Sequence, residues 1–474
     1  MNTVVDLTRE KRFDWPLCYE AEALLLKQLD AFTERNDFAR RLAQRMRDEA
    51  GTLLLDWVDH LVLPAELFPA LREASYVDDP RGEGPAHQRP LWHPEAMLPR
   101  VLVERDVACA GSEPPVTLAV RCESVADFMI AHGLHAEPEG PPCSRFRRLL
   151  VSQENGARLL AVERRGYCGA VPARPVGGEI EGLLTAAELW RTRQRSFAND
   201  AEGFRQTHAV LDHLLQHVSP DLACLVVFTE ERAYWQSRNR AAQVQKARQD
   251  ILGLGWANQD HHTFRSSREH FVDLMRVLEK LGFERRERYY AGAQAGWGAQ
   301  ILEQPVEGIV AFCDVDLQPD ETDIDFSRKP LPPSKKVGTI GLWTGLHGES
   351  LLDAGLHHLE CRFDYELLRD QLTAMSVPVM KPFSDLPFLK QAFTEGERWT
   401  VRRERAERLL KASQIDETQF QQFVSNGAIG SHLENLQRKG GFKGFNQKSV
   451  SVIISETDPR RQAAHDAADP QRRL

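Results

Sequence analysis

Apolar residues recur along this chain with two different periods. In residues 20–50 they return about every 3.6 positions among charged side chains, which predicts an amphipathic helix. The apolar run at residues 52–63 has the length of a strand and ends at Pro64, and the Pro- and Gly-rich residues 79–99 predict a loop. The chain is therefore expected to begin with a helix that leads into a β-region.

A strand, a helix and a pair of strands follow in the first half. Residues 116–122 predict a strand, and Ser124 is placed to cap a short helix that ends near Gly133. Residues 147–164 predict two strands around a turn at Asn155 and Gly156. This is the order of elements in a βαβββ module.

The same order returns in the second half. Residues 258–266 predict a strand, residues 268–281 an amphipathic helix, and residues 283–314 three further strands. Residues 355–363 and 365–375 begin the order again as a strand and a helix. The sequence therefore predicts an α+β fold of paired βαβββ modules with added helical segments.

The segments between these modules divide the chain. Residues 171–178 predict a linker, residues 181–250 are largely helical in pattern, residues 319–338 predict a loop, and residues 395–412 and 416–425 predict a helical insertion. The expected units are an N-terminal helical segment at 1–50, a degenerate βαβββ module pair at 51–176, a helical connector at 177–250, a metal-binding βαβββ module pair at 251–460 and a mobile tail at 461–474.

Composition narrows the function classes. Of 474 residues, 42% are hydrophobic and 27% charged, as in ordinary soluble proteins. A formal net charge of -9 argues against nucleic acid and anionic membranes as partners. The eight cysteines include no Cys-x-x-Cys pair, which favours a reduced compartment, and no signal peptide or membrane-length apolar run is visible. A soluble cytoplasmic protein is expected.

Two predicted strands of the second half carry the candidate chemistry. In each, alternation places a histidine, a middle residue and an arginine on one face: His261, Thr263 and Arg265 in one strand, and His358, Glu360 and Arg362 in the other. Neutral imidazoles bind iron, manganese or zinc, and an arginine beside them can bind a carboxylate. With Glu434 as a third ligand, the set would hold one face of a divalent metal and leave positions for an oxygen-rich substrate and O2.

Simpler interpretations of these residues stay open. An isolated histidine beside a strand is more often a hydrogen-bonded structural residue than a ligand, and the two arginines are by default ion-pair partners. His262 and His357 could replace their neighbours as ligands, because a one-residue error in strand phase exchanges the two faces. By pattern alone, Glu434 is a charged residue on a surface element.

Four segments, in one order, carry a family resemblance. Residues 260–265 read Asp-His-His-Thr-Phe-Arg, residues 357–362 read His-His-Leu-Glu-Cys-Arg, residues 432–438 read His-Leu-Glu-Asn-Leu-Gln-Arg, and residues 444–457 contain Gly-Phe, Ser449 and Ser-Glu-Thr. They resemble the iron-dependent 2-oxoadipate dioxygenase/decarboxylases, also called 2-hydroxyglutarate synthases, of the vicinal oxygen chelate superfamily. In that family the matching elements run like Asn-His-Ile-Thr-Phe-Arg, Asn-His-Phe-Thr-Pro-Arg, Tyr-Tyr-Glu-Phe-Ala-Lys-Arg and a Ser-containing last strand.

The resemblance implies a site and a reaction. It implies His261, His358 and Glu434 as ligands of Fe(II), Arg265 as the anchor of a substrate carboxylate, and Ser449 as a pocket contact. The reaction implied is oxidative decarboxylation of a small 2-oxo acid with O2, similar to conversion of 2-oxoadipate to 2-hydroxyglutarate. The resemblance covers the second half of the chain and leaves Mn(II) and Zn(II) open as the metal.

Departures from the family pattern keep other functions in view. Glu360 stands where the family has threonine, Cys361 replaces a proline, and His432 and Leu433 replace an aromatic pair. A metal-dependent isomerase or lyase would use Glu360 as its base, and Arg362 is a candidate second anion contact. A metal-free binding protein on the same scaffold is a third, non-enzymatic hypothesis.

The first half offers weaker candidates. His60 and Glu163 could be remnants of another site, but no second histidine stands at the matching place, so a structural role is favoured for both. The first half is expected to act as a scaffold or as the contact surface of a homodimer. Gly253 and Gly255 lack the third glycine of a dinucleotide-binding loop.

Overall fold

Two mixed β-sheets, covered by helices, form the structure. The computed structural model describes residues 15–105, 115–172, 175, 177–293 and 295–461. The α+β prediction is confirmed, because helices and strands alternate through the described residues. The predicted mobile tail, apart from Arg461, and the first 14 residues of the N-terminal segment lie outside the described residues, as do three positions of the predicted linker.

The first half forms a seven-stranded sheet with helices on it. Its helices are α1 (Tyr19–Arg35), α2 (Asp37–Arg45), α3 (Phe68–Glu73) and α4 (Val125–His132). Its strands are β1 (Val58–Leu63), β2 (Val77–Asp78), β3 (Gln88–Trp92), β4 (Arg100–Glu104), β5 (Val116–Arg121), β6 (Phe146–Glu154) and β7 (Ala157–Arg164). The strand order is β2-β3-β4-β1-β5-β7-β6.

Local chemistry explains where these elements differ from the sequence predictions. The predicted single helix is divided at Asn36, whose side chain accepts a hydrogen bond from the Ala39 N–H and so starts a new helix. The predicted strand at 52–63 is shorter, because Leu54–Trp57 turns as a 3-10 helix. The predicted loop at 79–99 is wrong in its middle, where β3 pairs with β4 despite Pro90.

Four helices connect the halves. They are α5 (Glu179–Thr192), α6 (Asp200–Leu214), α7 (Pro220–Gln236) and α8 (Arg240–Ile251), as the helical pattern predicted. Glu231 of α7 is fully buried and accepts hydrogen bonds from Trp190, Arg193 and Arg195 at 2.7–3.0 Å. This cluster ties α5, and the segment that follows it, to α7.

The second half forms a nine-stranded sheet. Its strands are β8 (Gln259–Arg265), β9 (Glu284–Tyr290), β10 (Trp297–Gln304), β11 (Ile309–Asp316), β12 (His358–Arg362), β13 (Ser384–Leu386), β14 (Leu389–Phe393), β15 (Glu397–Trp399) and β16 (Ala428–Arg438). Its helices are α9 (Phe271–Lys280), α10 (Thr339–His347), α11 (Tyr365–Ala374), α12 (Arg403–Lys411), α13 (Glu417–Asn426) and α14 (Gln447–Glu456).

Strand pairing in the second sheet places two modules side by side. The order is β13-β14-β16-β12-β8-β11-β10-β9, with β15 paired to β16. Within each module the first and last strands are parallel, β8 with β11 and β12 with β16, and the modules join through antiparallel β8 and β12. The first sheet has the same scheme, with β1 parallel to β4, β5 parallel to β7, and β1 antiparallel to β5.

Two predictions for the end of the chain are wrong. The start of the predicted helical insertion at 395–412 is strand β15, which pairs with β16. The expected Ser-containing last strand is helix α14, because Asn446 caps it and Val450, Ile453 and Ile454 repeat at helical spacing.

The described cysteines are free thiols. Among the described residues, no helix combines the length and the apolar content that crossing a membrane requires.

Substitution of Glu231 by alanine is expected to destabilise the fold strongly. The change leaves Arg193 and Arg195 without their buried counter-charge, and breaking a buried pair in this way costs about 3–5 kcal/mol. Thermal and denaturant unfolding midpoints measure the effect. The matched control is Glu202→Ala, which removes an exposed ion pair with Arg205 and should leave both midpoints nearly unchanged. Equal midpoints for the two variants would contradict the role of the cluster.

Candidate metal centre

Three strands position the predicted metal ligands. Both faces of the second sheet are covered, so β8, β12 and β16 are buried along almost their whole length. Side chains alternate between a helix-packed core, which takes Phe264, Leu359 and Leu433, and an inner face, which takes the candidate ligands. The strand phase inferred from the sequence is therefore the one found.

The structure brings the side chains of His261, His358 and Glu434 together. One ligand atom from each lies within 4.8 Å of the other two. Nε2 of His358 is 2.7 Å from Oε2 of Glu434. The two atoms do not have the geometry of a hydrogen bond, and Nε2 forms none with any other described residue. Two ligand atoms at about 2.1 Å from one ion and at a right angle to each other lie about 3 Å apart, so this spacing fits neighbouring ligands of a common metal.

Glu360 and Gln391 surround this ligand set. Nδ1 of His261 contacts Oε2 of Glu360, which leaves the other ring nitrogen for a metal. Gln391 donates from Nε2 to Oε1 of Glu360 at 3.0 Å and to Oε1 of Glu434 at 3.3 Å. Carboxylate and amide partners of this kind orient metal-binding side chains.

Burial sets the protonation of the site. Burial, and then the positive potential of His432 and His261, lower the pKa of His358 well below its usual range, so its imidazole is neutral. Burial raises the pKa of Glu434 to about 8. Burial, and then the adjacent Glu434 carboxyl, raise the pKa of Glu360 well above its usual range. The neutral His358 imidazole and a carboxyl group that a nearby cation would stabilise in its ionised form fit a divalent metal. The donor set of two nitrogens and one oxygen suits iron, manganese or zinc.

Two other groups of side chains have ligand spacing. In one, His357 and His432 join His358, and the Nδ1 atoms of His357 and His358 are 2.6 Å apart. In the other, Asp260 joins His261 and Glu360, but Arg438 already pairs with Asp260 at 2.9 Å. The His261, His358 and Glu434 group is the one whose three members all line a pocket.

The pocket next to these ligands has a cavity volume of about 40 Å³. Its polar residues, besides the three candidate ligands, are Thr263, Arg265, Asp314, Gln391 and Thr457. Its other lining residues form what we call the apolar wall: Phe312, Phe383, Phe393, Phe445, Val450, Ile453 and Ile454. Helix α14 supplies the last three of these, so it closes one side of the pocket.

Arg265 lies in the pocket beside a carboxyl group. Its Nε is 3.6 Å from Oδ2 of Asp314, and the two residues are only 4% and 2% exposed. Neither Nε of Arg265 nor Oδ1 of Asp314 has a hydrogen-bond partner among the described residues. Burial raises the pKa of Asp314 to about 7, although Arg265 opposes the shift.

Other predicted site residues lie elsewhere. Arg362 does not line the pocket. Its charge acts instead on half-buried Asp56, whose pKa desolvation raises to about 6 although Arg362 opposes the shift. Glu360 is fully buried behind the ligands and does not line the pocket either. Ser449 is on the first turn of α14, and the pocket is lined by the residues that follow it on that helix. His262 points into the core, where its ring lies 4.9 Å from that of Phe228.

Sequence reasoning missed Asp314, Gln391 and the apolar wall. Asp314 lies near the end of β11, after an apolar run, and is opposite Arg265 in the parallel pairing of β11 with β8. Alternation along β14 accounts for the face on which Gln391 lies, but no sequence motif identifies that strand. The helical repeat of Val450, Ile453 and Ile454 was the available signal for α14.

His60 and Glu163 of the first half occupy ion-pair networks. His60 contacts Asp59 at 2.6 Å, and Asp59 pairs with Arg164 at 2.6 Å. Glu163 accepts a hydrogen bond from the Val125 N–H and pairs with Arg165. Among the described residues, the candidate metal groups include none from the first sheet.

Comparison with known proteins gives only distant likenesses. No protein-family model matches the chain, and no curated protein matches it. Among solved structures, a variant of 4-hydroxymandelate synthase from Streptomyces coelicolor is 12% identical, with 86% of this chain and 98% of that chain covered and a TM-score of 0.29.

Two further solved structures are similar at the same level. An uncharacterized protein from Shigella flexneri is 12% identical over 59% of this chain and 86% of that chain, with a TM-score of 0.23. Methylmalonyl-CoA epimerase from Mycobacterium tuberculosis is 13% identical over 38% of this chain and 88% of that chain, with a TM-score of 0.22. Likenesses at these TM-scores establish neither a family nor an activity for this chain.

Proposed function

We propose that this protein is a non-haem Fe(II)-dependent oxygenase that acts on a small 2-oxo acid by oxidative decarboxylation. The proposal is supported above all by one observation, the convergence of His261, His358 and Glu434 within 4.8 Å at the wall of a pocket. Two nitrogens and one carboxylate on one side of an ion leave positions for a chelating acid and O2. The resemblance of the sequence motifs to the 2-oxoadipate dioxygenase/decarboxylases agrees with this donor set.

Residues of the pocket have distinct roles in this proposal. Iron(II), when bound, supplies the redox chemistry that activates O2 and holds the acid. His261 and His358 would bind it through ring nitrogens, while Glu360 orients His261 and Gln391 orients Glu434. Arg265 and its neighbour Asp314 line the pocket as a buried ion pair, and the apolar wall excludes water.

The isomerase or lyase alternative needs Glu360 as a base that reaches the substrate. Glu360 is fully buried and is not among the residues that line the pocket. The position of this carboxyl group therefore favours the oxygenase.

Removal of one ligand should abolish tight metal binding. His358→Ala is expected to lower bound iron(II) at least about tenfold, because the remaining pair forms an incomplete face. Metal analysis after anaerobic loading and desalting measures the content. The matched control is His208→Ala, a partly buried histidine outside the candidate groups, which should keep the iron content of the native protein. Equal iron content in the two variants would exclude this site.

Metal binding should strengthen as pH rises toward 8. The raised pKa of Glu434 means that its carboxyl group holds a proton at neutral pH, and metal must displace this proton. Affinity for Zn(II) as a redox-stable probe should therefore fall as pH drops from 8 to 6.5, with proton release on binding. Calorimetry in two buffers of different ionisation enthalpy measures both. Affinity that is flat across this range would contradict the assignment of Glu434.

Turnover should require O2. The iron-loaded protein is expected to consume O2 and to release CO2 in equal amounts when a suitable 2-oxo acid of four to eight carbons is supplied. An oxygen electrode and CO2 trapping measure the two. Conversion of an acid at an undiminished rate under nitrogen would instead support an isomerase or lyase.

A further inference from the structure

The pocket contains one cation and its own counter-ion. Among the described lining residues, Arg265 is the cationic side chain, and Asp314 lies 3.6 Å from it. Both are almost fully buried, so solvent screens neither charge well. When Asp314 is ionised, the Arg265 guanidinium is therefore largely neutralised before any acid enters.

The remaining charges leave room for one carboxylate. A divalent ion together with the Glu434 carboxylate has one excess positive charge, and the Arg265–Asp314 pair adds none. Glu360, in either protonation state, adds no positive charge. One substrate carboxylate balances the excess, whereas a second would be buried without a partner, which is costly.

The apolar lining of the pocket also favours a substrate with an uncharged tail. The apolar wall provides four aromatic and three aliphatic side chains, and two of the aromatic rings lie against candidate ligands. The ring of Phe312 lies 5.9 Å from that of His261, and the ring of Phe393 lies 5.3 Å from that of His358. Whatever extends from the metal therefore runs along hydrocarbon surface, which favours an apolar body.

We propose that Asp314 is a specificity-determining residue, which restricts the pocket to monocarboxylic 2-oxo acids with an uncharged, apolar tail. This inference rests on the proposed function and departs from the dicarboxylic acid that the sequence resemblance implies. Asp314 acts by forming an ion pair with Arg265, which would otherwise bind a distal carboxylate. Because the pair is already buried, an apolar tail removes little further water from it.

A matched pair of acids tests the proposal. The probes 2-oxohexanoate and 2-oxoadipate differ at the far end, where the first has a methyl group and the second a carboxylate. Calorimetric titration of the Ni(II)-loaded full chain under nitrogen measures binding without turnover. The titration is run at pH 8, above the pKa of about 7 for Asp314, so that this residue is ionised.

The native protein should bind 2-oxohexanoate at least about tenfold more tightly than 2-oxoadipate. Asp314→Asn, which keeps the shape and removes the charge, should strengthen 2-oxoadipate binding at least about tenfold and change 2-oxohexanoate binding by less than about threefold. The control Asp78→Asn removes an aspartate that pairs with Arg89 in the first sheet and should keep the native preference.

A second variant keeps the test decisive if Asp314→Asn does not fold. Asp314→Ser also removes the charge, and it should strengthen 2-oxoadipate binding more than 2-oxohexanoate binding, because Arg265 is then left to bind the second carboxylate. Native protein that prefers 2-oxoadipate, or nickel-loaded protein that binds neither acid, would overturn the inference while leaving the metal site intact. Failure to load Ni(II) at all would overturn the proposed function, and the inference with it.

Discussion

The antiparallel pairing of β8 with β12 is the constraint on which the rest of the structure depends. It joins the two C-terminal modules at their first strands and sets Thr263 opposite His358 and His261 opposite Glu360. Parallel pairing of β12 with β16 then places Glu434 opposite Glu360. Because side chains alternate, a slip of one residue in either ladder would send a candidate ligand into the helical core. The register therefore determines whether a metal site can exist at all.

The two halves show how one strand order can lead to different interiors. In the second sheet, the inner face holds a cluster of buried ionisable groups, in which burial keeps His358 neutral and Arg438 balances Asp260. In the first sheet, Phe146, Leu160 and Val162 form a small apolar cluster, and the charged groups beside it, Asp59 and Arg164, are paired with each other. The same strand order can therefore occur with or without a candidate metal site, depending on the side chains on the inner face of the sheet.

Much of the second sheet was predictable because its signals are local. Alternation along residues 260–265 and 357–362 assigned the inner face, and the structure has that phase for His261 and His358. The α+β order followed from apolar periods of about two and about 3.6 residues. Local signals mislead at two places. Pro90 argues against a strand that tertiary pairing nevertheless forms, and the family motif predicts a strand where apolar residues at helical spacing form α14.

By itself, the sequence determined the alternation of the strands, the capping of the helices and the identity of the side chains available for chemistry. These depend on interactions within a few residues along the chain, which the order of amino acids specifies directly. Only the tertiary structure decided that Asp314 neutralises Arg265, that Gln391 holds Glu434, and that Arg362 lies away from the pocket. These outcomes depend on which strands become neighbours, and that neighbourhood is a property of the whole packed chain.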